Sequence, residues 1–125
     1  MNVVSTENAP AAVGPYAQAR IHGGLVLVSG QLPLDPVTGK IESQDPVLQL
    51  NQCLDNIAAI AEAAGTSLAE SLKITILMTD MSAFADLNQS YATRFGAPYP
   101  ARLAYQVAAL PMGAKVEVDA TIALS

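Results

Sequence analysis

Hydrophobic and polar positions change period several times along this chain, and each change predicts an element. Residues 16–22 and 25–29 read as two strands, with Gly23-Gly24 between them supplying the positive φ angles of a two-residue turn. From Pro46 to Ala64 the apolar residues Val47, Leu50, Leu54, Ile57, Ala61 and Ala64 recur at spacings of three and four, the stripe of an amphipathic helix. Asp45 suits its N-cap, Pro46 its first position, and Gly65 the left-handed residue that closes its last turn. Leu72, Ile74, Ile76 and Met78 alternate with Lys73, Thr75, Leu77 and Thr79, as in a strand. A second helix is expected on the stripe Phe84, Leu87, Tyr91 and Phe95, with Asn88 one turn from both Phe84 and Tyr91. Residues 101–109 and 114–124 complete the series as strands joined through Leu110-Pro111-Met112-Gly113. The order is β-β-α-β-α-β-β, and residues 29–39, apolar but full of strand and helix breakers, are expected to form an ordered loop.

Two helices cover one face of a sheet of about five strands. Thr75, Leu77, Ala104, Gln106 and Ala108 are assigned to the other face, which is too apolar for water alone, so a homo-oligomer is expected. At 125 residues, 51% hydrophobic, the chain can bury one core and is too short for two ordinary domains; residues 1–125 are read as one domain.

Charge and composition narrow the chemistry. Eleven acidic against six basic residues leave a net charge of −5, which opposes binding to nucleic acid. No membrane span or export signal is read, so a soluble cytoplasmic protein is expected. One cysteine, Cys53, and one histidine, His22, make neither an internal disulfide nor a metal cluster, and no dinucleotide or P-loop motif is present. A reaction without metal or cofactor, run by carboxylates, hydroxyls, amides and arginine, is the expectation. Cys53 is read as a core residue and His22 as an exposed turn residue.

Arg102 follows Pro100-Ala101 in an otherwise uncharged strand, where a permanently charged guanidinium needs a partner. That partner is either a ligand carboxylate or an internal acid, Glu117 or Asp119. Glu117 alternates with Val116 and Val118; it is either a solvated face residue or a working carboxylate. With a turn centred near Met112, Glu117 falls opposite Val107, so joining it to Arg102 takes a bulge or a subunit boundary. Tyr16 and Ser29 stand where strands meet glycine-containing loops, as pocket residues or as turn hydrogen-bonders. Asn88 is read as a buried amide that braces a loop, with ligand contact as its second role.

Several segments in order carry a resemblance: residues 9–16 (APAAVGPY), 29–33 (SGQLP), 35–39 (DPVTG), 87–91 (LNQSY), 100–102 (PAR) and 107–117 (VAALPMGAKVE). Nearly the whole chain resembles the RidA/YjgF reactive-intermediate deaminases, also called L-PSP endoribonucleases. The resemblance implies a chorismate mutase-like α/β fold of the bacillary type, two helices on one sheet face, and a homotrimer with clefts between subunits. It implies hydrolysis of 2-iminobutyrate and 2-iminopropionate to 2-keto acids and ammonia. It assigns the substrate carboxylate to Arg102, the attacking water to Glu117, and pocket shaping or bracing to Tyr16, Ser29 and Asn88. Where the family often has Arg-Ser-Cys or Arg-Thr-Cys, this chain has Arg102-Leu103-Ala104, leaving the backbone carbonyl of Ala104 to hold a water, and the stretch from Tyr91 to Pro100 is about three residues short. Two other readings stand beside deamination: a trimer that binds or senses small carboxylates without turnover, and an endoribonuclease-type translation inhibitor, which six basic residues and no histidine pair serve poorly.

Overall fold

Asp45, Pro46 and Gly65 bound the long helix α1 (Pro46–Ala64) as their chemistry requires. The Asp45 carboxylate accepts from the Val47 N–H, and Gly65, at φ 91°, donates its N–H to the Ala61 and Glu62 carbonyls. The computed structural model describes residues 2–124. Its strands are β1 (Val3–Val4), β2 (Ala19–His22), β3 (Leu25–Gln31), β4 (Ser71–Met78), β5 (Ala101–Gln106) and β6 (Val116–Ala123), and its second helix is α2 (Phe84–Arg94). Gly23 and Gly24 take φ of 55° and 82° in the β2–β3 turn.

One six-stranded sheet runs in the order β1-β2-β3-β6-β4-β5. The expected strand order along the chain is kept, with β1 added in front. Val3 and Val4 are too short a run to stand out by alternation and pair only because β2 offers them an edge. The segment from Tyr16 to Gln18, expected in a strand, lies outside β2, and β5 stops at Gln106 rather than Ala109.

The larger difference is pairing. β5 and β6 are no hairpin: α2 is the crossover of a parallel β4–β5 unit, and β6 inserts between β3 and β4, antiparallel to both. Glu117 therefore stands opposite Leu77, not Val107, while Arg102 pairs with Ile74.

Both helices cover one sheet face. There Leu50, Leu54, Ile57 and Ala61 of α1 and Leu87 of α2 are buried with Val26, Ile74, Ile76, Val116, Val118 and Ile122 of the sheet. Thr75 and Leu77 lie on the opposite, open face as expected, but Ala104 packs on the helix-side core and Ala108 lies beyond β5. Register puts Gln106, the partner of Met78, on the helix side as well. Their places on the open face belong to Leu103 and Tyr105, about half exposed, with Leu27 of β3. The expected open face was thus one residue out of phase along β5, and the observed one is more apolar. No helix among the described residues is long and apolar enough to cross a membrane.

Candidate functional site

Arg102 reaches the helix side of the sheet at its free edge. Its Nη1 donates to Asn88 Oδ1 at 2.7 Å, and the guanidinium carbon lies 4.8 Å from the Tyr91 ring centre and 5.4 Å from that of Phe84. Phe84, Asn88 and Tyr91 are spaced four and three residues apart on α2, so one helix face supplies both rings and the amide. Such ring contacts are worth about 0.5–1 kcal/mol at an exposed site and orient the flat cation. No acid neutralises it: the one ion pair among the described residues joins Arg94 to Asp55 at 2.7 Å. The internal pairs with Glu117 or Asp119 weighed from sequence are not formed.

Just past the end of β5, the Val107 N–H donates to Met78 O, towards β4. Alternation along the strand then turns the N–H and C=O of Arg102, Ala104 and Gln106 towards the open edge. The Ala104 carbonyl thus faces the open edge of β5, although its methyl group packs on the core.

Glu117 occupies the other half of the chemistry. It projects from the open face of β6, half-buried, where it borders a cleft of about 760 Å³ and a smaller hollow of about 210 Å³ lined by Gly30, Thr75, Leu77 and Asp119. Burial raises its carboxyl pKa above the ordinary value, and the neighbouring Asp119 charge adds to the rise. The larger cleft takes its walls from Val13, Tyr16, Leu32, Val37 and Met112. Tyr16 is half exposed, and Met112, which lines the cleft, holds a left-handed conformation at φ 60°.

Ser29 and Asn88 divide differently from expectation. The Ser29 hydroxyl donates to Ala17 O at 2.6 Å, and its N–H to Gln18 O, so it ties β3 to the segment that carries Tyr16. Asn88 is exposed rather than buried and braces Arg102, not a loop. Loop bracing falls instead to buried amides that the sequence reading passed over, Asn56 and Gln49 among them. Asn56, 1% exposed, donates to the carbonyls of Leu32 and Leu34, and Gln49 joins Ser43 O to the Lys115 N–H. Gln49, Cys53, Asn56 and Ile60 repeat at four and three residues, a second stripe flanking the apolar one, and that spacing was the available signal.

Arg102 and Glu117 face opposite sides of the sheet, so a single chain does not bring them together. Cys53 is buried, its thiol pKa pushed up by burial, and His22 is exposed at the end of β2. Among the described residues no group of three or more His, Cys, Asp or Glu side chains is placed to hold a metal ion.

Residues 6–124 match the family model described as Endoribonuclease L-PSP. The chain is 55% identical to the RutC family protein y4sK of Sinorhizobium fredii over 98% of its own length and 97% of the relative's. It is 42% identical to the 2-iminobutanoate/2-iminopropanoate deaminase of Escherichia coli, covering 94% and 93%. Among solved structures, RidA from an Antarctic Psychrobacter superposes with a TM-score of 0.94 at 44% identity, covering 98% of this chain and 99% of that one. Escherichia coli TdcF with bound serine superposes at 0.92, with 37% identity over the full length of both. A charged edge strand, an acid-lined cleft and this degree of likeness agree, and the chain belongs to the RidA/YjgF, or L-PSP endoribonuclease, family.

Proposed function

We propose that this protein hydrolyses small 2-imino acids to 2-keto acids and ammonia, as a single-domain subunit of a homotrimer whose sites lie between copies. The observation that carries the reading is the free guanidinium of Arg102, held by Asn88, Tyr91 and Phe84 without an acid partner. A planar fork so held suits two parallel hydrogen bonds to a carboxylate. Glu117, facing the other way, meets such a substrate only when a second copy brings its β5 edge to the cleft.

In that arrangement Arg102 of one copy anchors the carboxylate, and Glu117 of another faces the protonated imine. Glu117 takes a proton from a water as its oxygen attacks the imine carbon, giving a tetrahedral aminoalcohol. The carboxyl group returns that proton to the nitrogen. Ammonia leaves as the remaining hydroxyl gives its proton to the Glu117 carboxylate and closes the keto C=O; that proton passes to the departing ammonia, so protonated imine and water become keto acid and ammonium. In this reading the outward Ala104 carbonyl holds a water at the edge, and Tyr16, Ser29 and Asn88 shape or brace the pocket. A raised Glu117 pKa suits a group that must both take and return a proton.

Ammonia and keto acid released from freshly generated imines of increasing side-chain size test the reading. Arg102→Ala should lower kcat/KM by about 2 to 4 kcal/mol of transition-state binding. A variant that keeps the parental rate on 2-iminobutyrate removes Arg102 from the role. The bound serine in the TdcF structure favours one second reading, a carboxylate binder without turnover. Under that reading Glu117→Gln and the parent release keto acid equally, no faster than buffer.

A further inference from the structure

Most glycines of this chain answer to the backbone. Gly14, Gly23, Gly24, Gly39, Gly65 and Gly113 hold φ between 55° and 122°, where side-chain-bearing residues are strained. Gly30 does not: its φ lies outside that region, so its main chain would accept any residue. What excludes a side chain there is a neighbour. A Cβ built on Gly30 would lie 2.7 Å from Glu117 Oε2, 3.2 Å from its Cδ and 3.6 Å from its Cγ, and it meets no other residue among its nearest contacts.

The surrounding geometry holds Gly30 in that place. Val28 pairs with Ala120 and Gln31 with Val118, so Ser29 and Gly30 together oppose the single residue Asp119 in a β-bulge. Ser29 is pinned through its N–H to Gln18 O and its hydroxyl to Ala17 O. Gln31, the residue after the glycine, is 4% exposed. The main chain at position 30 therefore has little room to retreat. If something must yield to an added methyl group, it is the carboxylate end of Glu117.

We propose that Gly30 is a positioning residue for Glu117: its bare main chain at the bulge is the wall against which the carboxylate rests, between the large cleft and the hollow on the open sheet face. The inference rests on the reading that Glu117 handles the attacking water. It assigns Gly30 no contact with the substrate carboxylate, which Arg102 takes from another copy. Displacing the carboxylate then harms the chemical step and spares anchoring.

Gly30→Ala, checked for parental circular dichroism and oligomer size, should lose about tenfold or more in kcat on 2-iminobutyrate, since small misplacements of a reacting group are costly. Its KM should stay within about twofold. The deciding measurement is a double-mutant cycle on the rate above buffer hydrolysis. In a Glu117→Gln background, adding Gly30→Ala should change nothing further, because the group it positions no longer works. Losses that multiply would overturn the inference, as would a Gly30→Ala enzyme with parental kcat or one whose defect lies in KM alone. A Glu117→Gln single variant at the parental rate would instead sink the water-handling role, and this inference with it. If Gly30→Ala does not fold, Gly30→Ala/Glu117→Ala decides: with the carboxylate gone it should melt with Glu117→Ala, and a double variant that stays unfolded overturns the proposal.

Discussion

Asn88 spends its carbonyl oxygen on Arg102, and the two rings beside it leave the guanidinium few orientations. Asn88→Ala should therefore raise KM for 2-iminobutyrate several-fold while leaving the melting temperature near the parent's, because an exposed side chain is removed and no cavity opens. Steady-state kinetics beside a thermal melt check both halves. If Glu117 handles the attacking water, its raised pKa gives the reaction a pH dependence of defined sign. Burial and Asp119 raise its pKa, so the acid limb of kcat/KM should fall at a pH above the ~4.3 of an exposed glutamate and flatten in Glu117→Gln. The same shift acts on stability. Between the ordinary pKa and the raised one the folded chain binds more protons than the unfolded chain, so stability falls as pH rises through that window. Arg102 was legible in the sequence as a lone charge in an apolar strand that needs a partner, and Glu117 as an acid between two valines, with Asp119 beside it. The surroundings of Asn88 were not: its place on an apolar helix face gave no sign that the face ends at a sheet edge, where an amide stays wet.

At the scale of elements, α1 was readable to its ends because cap, first-turn proline and closing glycine each act locally. The pairing of β5 with β6 was misread for the opposite reason. A short loop between two strands suggests a hairpin, and only the crossover through α2, a contact distant in sequence, places β5 beside β4 and lets β6 enter on its other side. Of residues 29–39, expected as a loop, 29–31 continue β3 through the bulge opposite Asp119, and the remainder is a loop whose anchor lies on α1. Asn56→Ala strips the Leu32 and Leu34 carbonyls of their donor, and leaving buried acceptors unpaired costs about 1–3 kcal/mol. A lower midpoint in urea with an unchanged m-value is the expected result. An unchanged midpoint would show that water replaces the amide at no cost.

For the whole molecule, we expect the proposed trimer to bury the open face that carries Leu27, Leu77, Leu103 and Tyr105. Leu103→Lys should shift sedimentation towards the monomer and remove imine hydrolysis together, since a charge at a subunit contact is hard to bury. Shared sites also predict complementation. Arg102→Ala and Glu117→Gln, each strongly impaired alone, should recover about a quarter of parental activity when unfolded and refolded together at equal amounts, because random assembly pairs an intact arginine with an intact acid at that frequency. No recovery would place both groups of a working site on one chain. Because the two charges leave the sheet through opposite faces, the proposed reaction gives an isolated copy two half-sites and no whole one. Turnover per chain should then depend on how much protein is present, holding constant in concentrated solution and fading on dilution below the assembly's dissociation constant, so that the cell sets the activity of this chain partly by how much of it is made.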